Sequence, residues 1–394
     1  MVKLRPYSVS RIDADCESFA MKESAIGISC TRRKFLATVS TLVLTSRGYP
    51  AKDSPTVPTV DERIRTLATQ APLTMRFQGT SLDQCRTWQG EFAGKLRSLL
   101  GPHQPPGTWK TAVRHITELE DHFREELLLT AEEYSPLPIY LLAPRKVTKP
   151  RPGILALHGH GEYGHHPVAG RDDMPGVATA IRKANYDYGR ELVRRGYVVA
   201  VPCLTPFGDR LGKVDTYQGQ DPCAVSFVRL QILGKVLMGE NLRDSLWGLD
   251  FLARDPRVDS DRLGCVGLSY GGRMTMLTAA LEPRIRAAVI SGALNVMQER
   301  ISVPYSCGAQ VIPGLLQYGD TPEIASLIAP RPCLWEVGAK DELISARWAE
   351  EALTRIRGAY KAYDAEDGLS VDRFQGGHEW NGRVAYPWLE RILG

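Results

Sequence analysis

The spacing of hydrophobic positions along the chain changes near residue 110. Before that point, Trp88 belongs to a series of apolar residues at helical spacing that begins after Ser81 and stops at Gly101. This series predicts an amphipathic helix that packs on the domain that follows. The proline-marked stretch 50–60 before it predicts a flexible linker.

After residue 110 the apolar residues form short runs. Segments 115–119, 126–130 and 137–142 are predicted strands separated by polar turns, and such a meander commonly forms the antiparallel edge of an α/β sheet. The continuous apolar run from Ile154 to Leu157 then predicts a central strand that is buried on both faces.

Strands and helices alternate over the middle of the chain. A helix is predicted over 187–195, a strand over 196–202 and a covering helix over 240–252. Residues 211–236 fit either a lid or a helix over the sheet. This alternation is typical of a mainly parallel, doubly wound α/β sheet with helices on both faces. We divide the chain into a leader (1–50), a linker with an N-terminal helical segment (51–110) and an α/β domain (111–394).

The composition narrows the classes of function. The 394 residues are 43% hydrophobic and carry a net charge of +4, which is typical of a globular protein. No stripe of lysine and arginine interleaves with aromatic residues, so a nucleic-acid partner is not expected. No apolar run after the leader approaches the length of a membrane span. The eight cysteines lack C-x-x-C spacing, and a disulfide of Cys223 with either Cys203 or Cys307 stays open.

The N-terminal residues carry a candidate export signal. The pair Arg32-Arg33 precedes a short apolar run, residues 35–44, as in signals of the bacterial twin-arginine pathway. Thr31 and Ala37 depart from the usual pattern, and the run is too short to span a bilayer. Met21 is a natural start for this signal. The expectation is an exported protein; the alternative is a disordered basic leader on a cytoplasmic one.

The segment Gly267-Leu268-Ser269-Tyr270-Gly271 reads G-x-S-x-G and stands between a strand-like and a helix-like run. A nucleophilic serine must be raised on a tight strand-to-helix turn, where flanking side chains have no room. The same turn directs the N–H of Tyr270 towards the charge that develops on an attacked carbonyl. We therefore interpret Ser269 as a nucleophile.

A histidine-rich loop, residues 158–166, follows the predicted central strand. It allows two interpretations, a zinc site or an H-G-x-G loop that supplies a second oxyanion donor. We favour the loop, because glycines alternate with the histidines and no ligand set is complete. On this interpretation no residue binds metal, the His160 N–H points at the substrate oxygen, and Gly159 and Gly161 contact the substrate.

A serine nucleophile needs a base and a group that orients it. His378 is the only histidine after Ser269, and glycines precede it. Asp341 follows a predicted strand on a loop, where a carboxylate can accept a hydrogen bond from Nδ1 of that histidine. We assign Asp341 as the acid; it can also cap a following helix. The alternatives considered for this role are Glu336, Glu342, Asp364 and Asp367.

With these segments in order, residues from about 110 to 394 resemble the α/β-hydrolase superfamily, and within it bacterial proteins similar to dienelactone hydrolase and acetyl xylan esterase. The resemblance implies hydrolysis of carboxylic esters through an acyl-enzyme without a cofactor. The substrate it suggests is a small-molecule or saccharide ester, such as an acetylated polysaccharide. Dienelactone hydrolase itself has cysteine as the nucleophile, and glucuronoyl esterases have arginine where Tyr270 stands. Arg273 is nearby and leaves two alternatives: contact with an acidic substrate or, as its helix position favours, a side chain on the helix surface.

Two other functions compete with an esterase. A serine peptidase of the prolyl-oligopeptidase type shares the sheet and the triad, but usually has a β-propeller upstream, for which residues 51–150 are too few. A catalytically inactive binding protein has no need of all three triad residue types. Both are weaker expectations than the esterase.

Overall fold

The structure is a computed structural model that describes residues 57–301 and 307–394. The predicted leader and its arginine pair lie outside the described residues. The described chain from Pro58 to Gly394 forms one compact unit. Among these residues, no single helix is both long and apolar enough to cross a membrane; only one consecutive pair, 222–232 and 237–253, reaches that length and composition, with a 99° bend between its members.

One sheet organises this unit, and all its described strands belong to it. The strands are β1 (Lys110–Glu118), β2 (His122–Thr130), β3 (Leu137–Pro144), β4 (Arg151–Leu157), β5 (Val198–Pro202), β6 (Val258–Leu268), β7 (Ile285–Ser291), β8 (Cys333–Gly338) and β9 (Leu369–Phe374). Their spatial order is β1-β2-β3-β5-β4-β6-β7-β8-β9. Strands β1, β2, β3 and β5 pair antiparallel, and the pairs from β5–β4 to β8–β9 are parallel.

Helices connect and cover these strands. They are α1 (Val60–Thr69), α2 (Leu82–Leu100), α3 (Val177–Ala184), α4 (Tyr188–Arg194), α5 (Pro222–Ile232), α6 (Leu237–Ala253), α7 (Tyr270–Leu281), α8 (Met297–Arg300), α9 (Thr321–Ser326), α10 (Ala346–Ala362) and α11 (Ala385–Leu393). The predicted α/β architecture with an antiparallel N-terminal edge is confirmed. Residues 211–236, for which a lid or a helix was open, contain one 3-10 turn (Val214–Tyr217) followed by the helix α5.

The core has two layers, one on each face of the sheet. Alternate residues of β4 point in opposite directions: Leu155 and Leu157 pack with α2, α6 and α7 on one face, while Ile154 and Ala156 pack with α4 and α11 on the other. All four side chains are fully buried. A continuous apolar run is therefore required in β4, as the sequence predicted.

Helix α1 lies just after the predicted linker and was not expected. Its sequence signal is local: Thr59 and Glu62 form a capping box, in which the Thr59 side chain accepts from the Glu62 N–H and the Glu62 carboxylate accepts from the Thr59 N–H at 2.7 Å. The apolar residues of α1 gave a weak signal because Val60 and Leu67 remain exposed.

Candidate active site

Ser269 lies between the end of β6 and the start of α7, on a turn with strained backbone. Its φ of 62° and ψ of −120° are rarely adopted by a residue with a side chain. The Ser269 N–H donates to the carbonyl of Ser291 at the end of β7, at 2.9 Å. The residue is only partly buried, so its hydroxyl is held at the carboxyl end of the sheet with access to solvent.

Glycines at two flanking positions are required by close backbone contacts. A Cβ on Gly271 would lie 1.9 Å from the carbonyl oxygen of Leu157, at the end of β4. A Cβ on Gly267 would lie 2.4 Å from the Gly271 carbonyl oxygen and 2.7 Å from the same Leu157 oxygen. Any side chain at either position would push the turn away from β4. The glycines of the G-x-S-x-G motif are therefore required because the turn packs directly on the end of β4.

His378 and Asp341 meet at the carboxyl ends of neighbouring strands. Asp341 follows β8, His378 follows β9, and His378 Nδ1 lies 2.8 Å from Asp341 Oδ2. The other Asp341 oxygen accepts from the Leu343 N–H at 2.8 Å. The Asp341 side chain is 1% exposed and that of His378 is 26% exposed. One carboxylate thus orients the imidazole and also closes a local turn, although α10 itself begins only at Ala346.

The second nitrogen of His378 has no partner within the described part of the chain. Nε2 is buried and makes no hydrogen bond to any described residue. The imidazole lies beside the elbow: a Cβ placed on Gly292 would be 2.9 Å from His378 Cε1 and 3.1 Å from a methyl carbon of Leu268, the residue before Ser269. With Nδ1 donating to a carboxylate, Nε2 carries a free lone pair and can accept a proton.

The other carboxylates considered from the sequence are placed differently. Glu342, Asp364 and Asp367 are exposed. Glu336 lies in β8 and is fully buried, and its oxygens accept from the backbone N–H groups of Gly382 at 2.8 Å and Asn381 at 3.2 Å. It therefore holds the segment that follows His378, a positioning contact that sequence reasoning missed.

The loop after β4 lies directly against the elbow. A Cβ on Gly159 would come within 3.1 Å of the Ser269 Cβ, and the Gly159 N–H donates to the Tyr186 hydroxyl at 2.6 Å. The N–H of His160 has no acceptor among the described residues. The N–H of Tyr270 is in the first turn of α7, where helix N–H groups lack intrahelical partners and the dipole favours negative charge. These two donors are the ones that sequence reasoning selected.

The histidines of this loop do not share a common site. His158 is fully buried: its Nε2 accepts from the Leu204 N–H at 2.9 Å, and burial lowers its pKa to about 3, so it is neutral. His166 bonds the Tyr140 hydroxyl at 2.9 Å and Asp209 at 3.1 Å. His160 has a third partner, with its Nε2 2.6 Å from the sulfur of Cys307.

A cavity of about 310 Å³ adjoins the loop after β4. His160 and Gly161 line one side of it, and Phe207, Leu211 and Pro222 contribute to its apolar walls. Gly161 has open space where a side chain would stand. The cavity offers a largely apolar surface next to His160, in the size range of a small ligand group.

The prediction that Arg273 lies on the helix surface is wrong. Arg273 is 5% exposed, and its guanidinium donates to the Asn295 side chain. Burial lowers its pKa to about 10, with a further contribution from the nearby Arg300. The helical spacing of α7 was misleading because this helix is buried on nearly all sides.

Comparison with known proteins identifies the family. Residues 233–299, which contain α6, β6 and the elbow, match the family model described as "Prolyl oligopeptidase family". Over 299 residues the chain is 32% identical to "Putative hydrolase YtaP" of Bacillus subtilis (strain 168), covering 74% of this chain and 94% of that protein. The chain belongs to the α/β-hydrolase superfamily, in one family with YtaP.

Solved structures show the same fold for this α/β-hydrolase. A "putative acetyl xylan esterase" from Bacteroides fragilis NCTC 9343 superimposes with a TM-score of 0.71 at 18% identity, over 86% of this chain and 96% of that one. A glucuronoyl esterase from Solibacter usitatus superimposes with a TM-score of 0.58 at 13% identity, over 81% and 96%. At these identities the likeness shows the fold alone.

Glu336 gives the stability of this α/β-hydrolase a specific pH dependence. Burial raises its pKa from the ordinary 4.5 to about 7. Between those values the folded protein holds a proton on Glu336 that the unfolded chain releases, so the Glu336 contribution to the free energy of unfolding falls as the pH rises from about 4.5 to 7 and is then constant. The contribution is on the order of 3 kcal/mol. We expect Glu336→Gln to flatten this slope in denaturant unfolding measured from pH 5 to 8.

The matched control is Glu342→Gln, which removes an exposed carboxyl from the adjoining loop. It should leave the slope unchanged. A Glu336→Gln protein that loses stability between pH 5 and 8 as steeply as the parent would contradict the assignment.

Proposed function

We propose that this α/β-hydrolase is a serine carboxylic-ester hydrolase that forms an acyl-enzyme on Ser269. The observation that carries the proposal is the 2.8 Å hydrogen bond from His378 Nδ1 to Asp341, with the unpartnered Nε2 beside the elbow. A serine on a strained turn, a base with a free lone pair and a buried orienting carboxylate are the parts that acyl transfer needs.

The proposed reaction has two halves. Ser269 Oγ attacks the ester carbonyl while His378 Nε2 accepts its proton, and the carboxylate of Asp341 stabilises the resulting imidazolium. The oxyanion receives hydrogen bonds from the N–H groups of Tyr270 and His160, each worth about 3 kcal/mol. His378 then protonates the leaving alcohol, and a water activated by the same histidine releases the acyl group and restores Ser269.

The proposed substrate is an acetyl or similar short acyl ester of a sugar or polysaccharide. It is supported by the shared fold with the acetyl xylan esterase and glucuronoyl esterase structures. The small apolar cavity beside His160 and Phe207 is the proposed place for one part of the ester. Arg273 is not proposed as a ligand for an acidic sugar, since its guanidinium is engaged with Asn295 inside the core.

A serine peptidase of the prolyl-oligopeptidase type remains the second candidate, because the family model that matches residues 233–299 bears that description. The match covers the elbow and its flanking helices, which both classes of enzyme share. The two candidates differ in leaving group, and therefore in which substrates Ser269 turns over.

Ser269→Ala should lower kcat on p-nitrophenyl acetate by roughly 10⁶-fold, to background, since the nucleophile and its base act as a unit. The parent should react with a fluorophosphonate probe and the variant should not. A parent that is inert to both ester and probe would contradict an enzyme function, and cleavage of proline-containing peptides but not of esters would favour the peptidase.

Asp341→Asn should lower kcat by about 10⁴-fold with little change in KM, because the amide no longer holds the required imidazole tautomer. Glu342→Gln, one residue along and exposed, is the control and should retain the parent kcat. An equal loss of kcat in the two variants, or a near-normal kcat for Asp341→Asn, would contradict the assignment of Asp341 as the acid. One of the other carboxylates would then have to take that role.

We also propose that residues 1–50 carry a twin-arginine export signal, on the strength of the Arg32-Arg33 pair and the apolar run after it. In a bacterium with that pathway, the full chain should be recovered outside the cytoplasm. The double substitution Arg32→Lys with Arg33→Lys keeps the charge and should hold the protein in the cytoplasm. Unchanged export of this variant would show that another signal operates.

A further inference from the structure

One imidazole and two thiols form a buried cluster next to the oxyanion loop. His160 Nε2, Cys223 Sγ and Cys307 Sγ all lie within 4.8 Å of one another, and the imidazole nitrogen is 2.6 Å from the Cys307 sulfur. Cys223 is 4% exposed and Cys307 is 2% exposed. The three residues come from the loop after β4, the first turn of α5 and the segment before a 3-10 turn, 308–310.

We propose that His160, Cys223 and Cys307 bind one zinc ion or a cation of similar preference for sulfur and nitrogen. Cysteine sulfur and histidine nitrogen are the ligands that such ions prefer. Zinc bonds of about 2.3 Å to sulfur and 2.0–2.1 Å to nitrogen place tetrahedral ligand atoms about 3.5–3.8 Å apart. The observed separations require only small side-chain movements to reach that geometry.

The surrounding backbone presents the two cysteines to each other. A Cβ on Gly308 would lie 2.8 Å from the Cys223 carbonyl oxygen and 2.6 Å from the Cβ of Phe227, so the Cys307 segment packs on α5 only because residue 308 is glycine. Cys223 lies in the first turn of α5, so its position is set by the start of that helix. The sulfur ligands are thus held before any ion binds.

The third ligand connects this site to the proposed catalysis. Phe207 and Tyr270 flank the His160 ring, with centroids 5.4 and 5.2 Å away. His160 and Cys223 both line the 310 Å³ cavity, from which a water molecule can reach the fourth coordination position. The ion would fix the His160 side chain and leave its backbone N–H free for the oxyanion. This positioning role rests on the proposed function, whereas the metal site does not.

The direct test is a titration of the full chain with Co²⁺ after reduction and dialysis against a chelator. One equivalent should produce thiolate-to-cobalt charge-transfer absorption and the strong visible bands of tetrahedral cobalt, and Zn²⁺ should displace it. Cys223→Ser and Cys307→Ser should each weaken binding by roughly a hundredfold or more, because loss of outer-shell partners alone costs 10–100-fold. His160→Gln should weaken it while retaining the charge-transfer absorption.

Cys85→Ala is the matched control, since Cys85 is a buried thiol of α2 outside the cluster; its titration should equal that of the parent. Absence of stoichiometric cobalt binding by the reduced, folded parent would overturn the site. This holds also if Cys223 and Cys307 form a disulfide in the protein as isolated and reduction of that disulfide yields no metal affinity. If cobalt binds but the parent kcat is unaffected by metal removal, the positioning role is overturned. Failure of ester hydrolysis alone would bear on the proposed function, because the cobalt spectrum does not depend on it.

Discussion

The candidate active site depends on the close contact between the elbow and the end of β4. Leu157 and Gly267 are paired in the parallel ladder, and the Leu157 carbonyl leaves no room for a side chain at Gly267 or Gly271. This contact holds Ser269 in a strained conformation and brings Gly159 against its Cβ. The proposed nucleophile and the proposed oxyanion loop are therefore positioned by the same backbone packing.

Much of this arrangement was predictable, because in a parallel sheet a residue's place follows from the strand that it comes after in the sequence. The carboxyl ends of parallel strands lie at one edge, so Ser269 after β6, Asp341 after β8 and His378 after β9 are brought to that edge by order alone. The apolar run of β4 likewise predicted a buried central strand, and the polar turns between β1, β2 and β3 predicted the antiparallel edge. The choice of Asp341 from the five carboxylates considered was the least certain part of the prediction. The sequence does not show which of these side chains points at His378, because that depends on tertiary structure.

The features that escaped prediction are those that depend on contacts between distant segments. Cys223 and Cys307 belong to no spacing motif, and only folding brings their sulfurs to His160. Glu336 looked like an ordinary strand residue, yet its carboxylate binds the backbone that follows His378. Arg273 has the spacing of a surface position on a helix that is in fact enclosed. Periodicity reports the faces of one element and not what covers them.

The central claim is that Ser269 carries the acyl group between the two halves of the reaction. The most direct measurement is rapid acid quenching of the full chain during turnover of p-nitrophenyl acetate, followed by peptide mass spectrometry. The account predicts an acetyl group on the Ser269 hydroxyl before the steady state is reached. An acetyl group on another side chain, or turnover with no acylated peptide while alcohol release shows a burst, would contradict it.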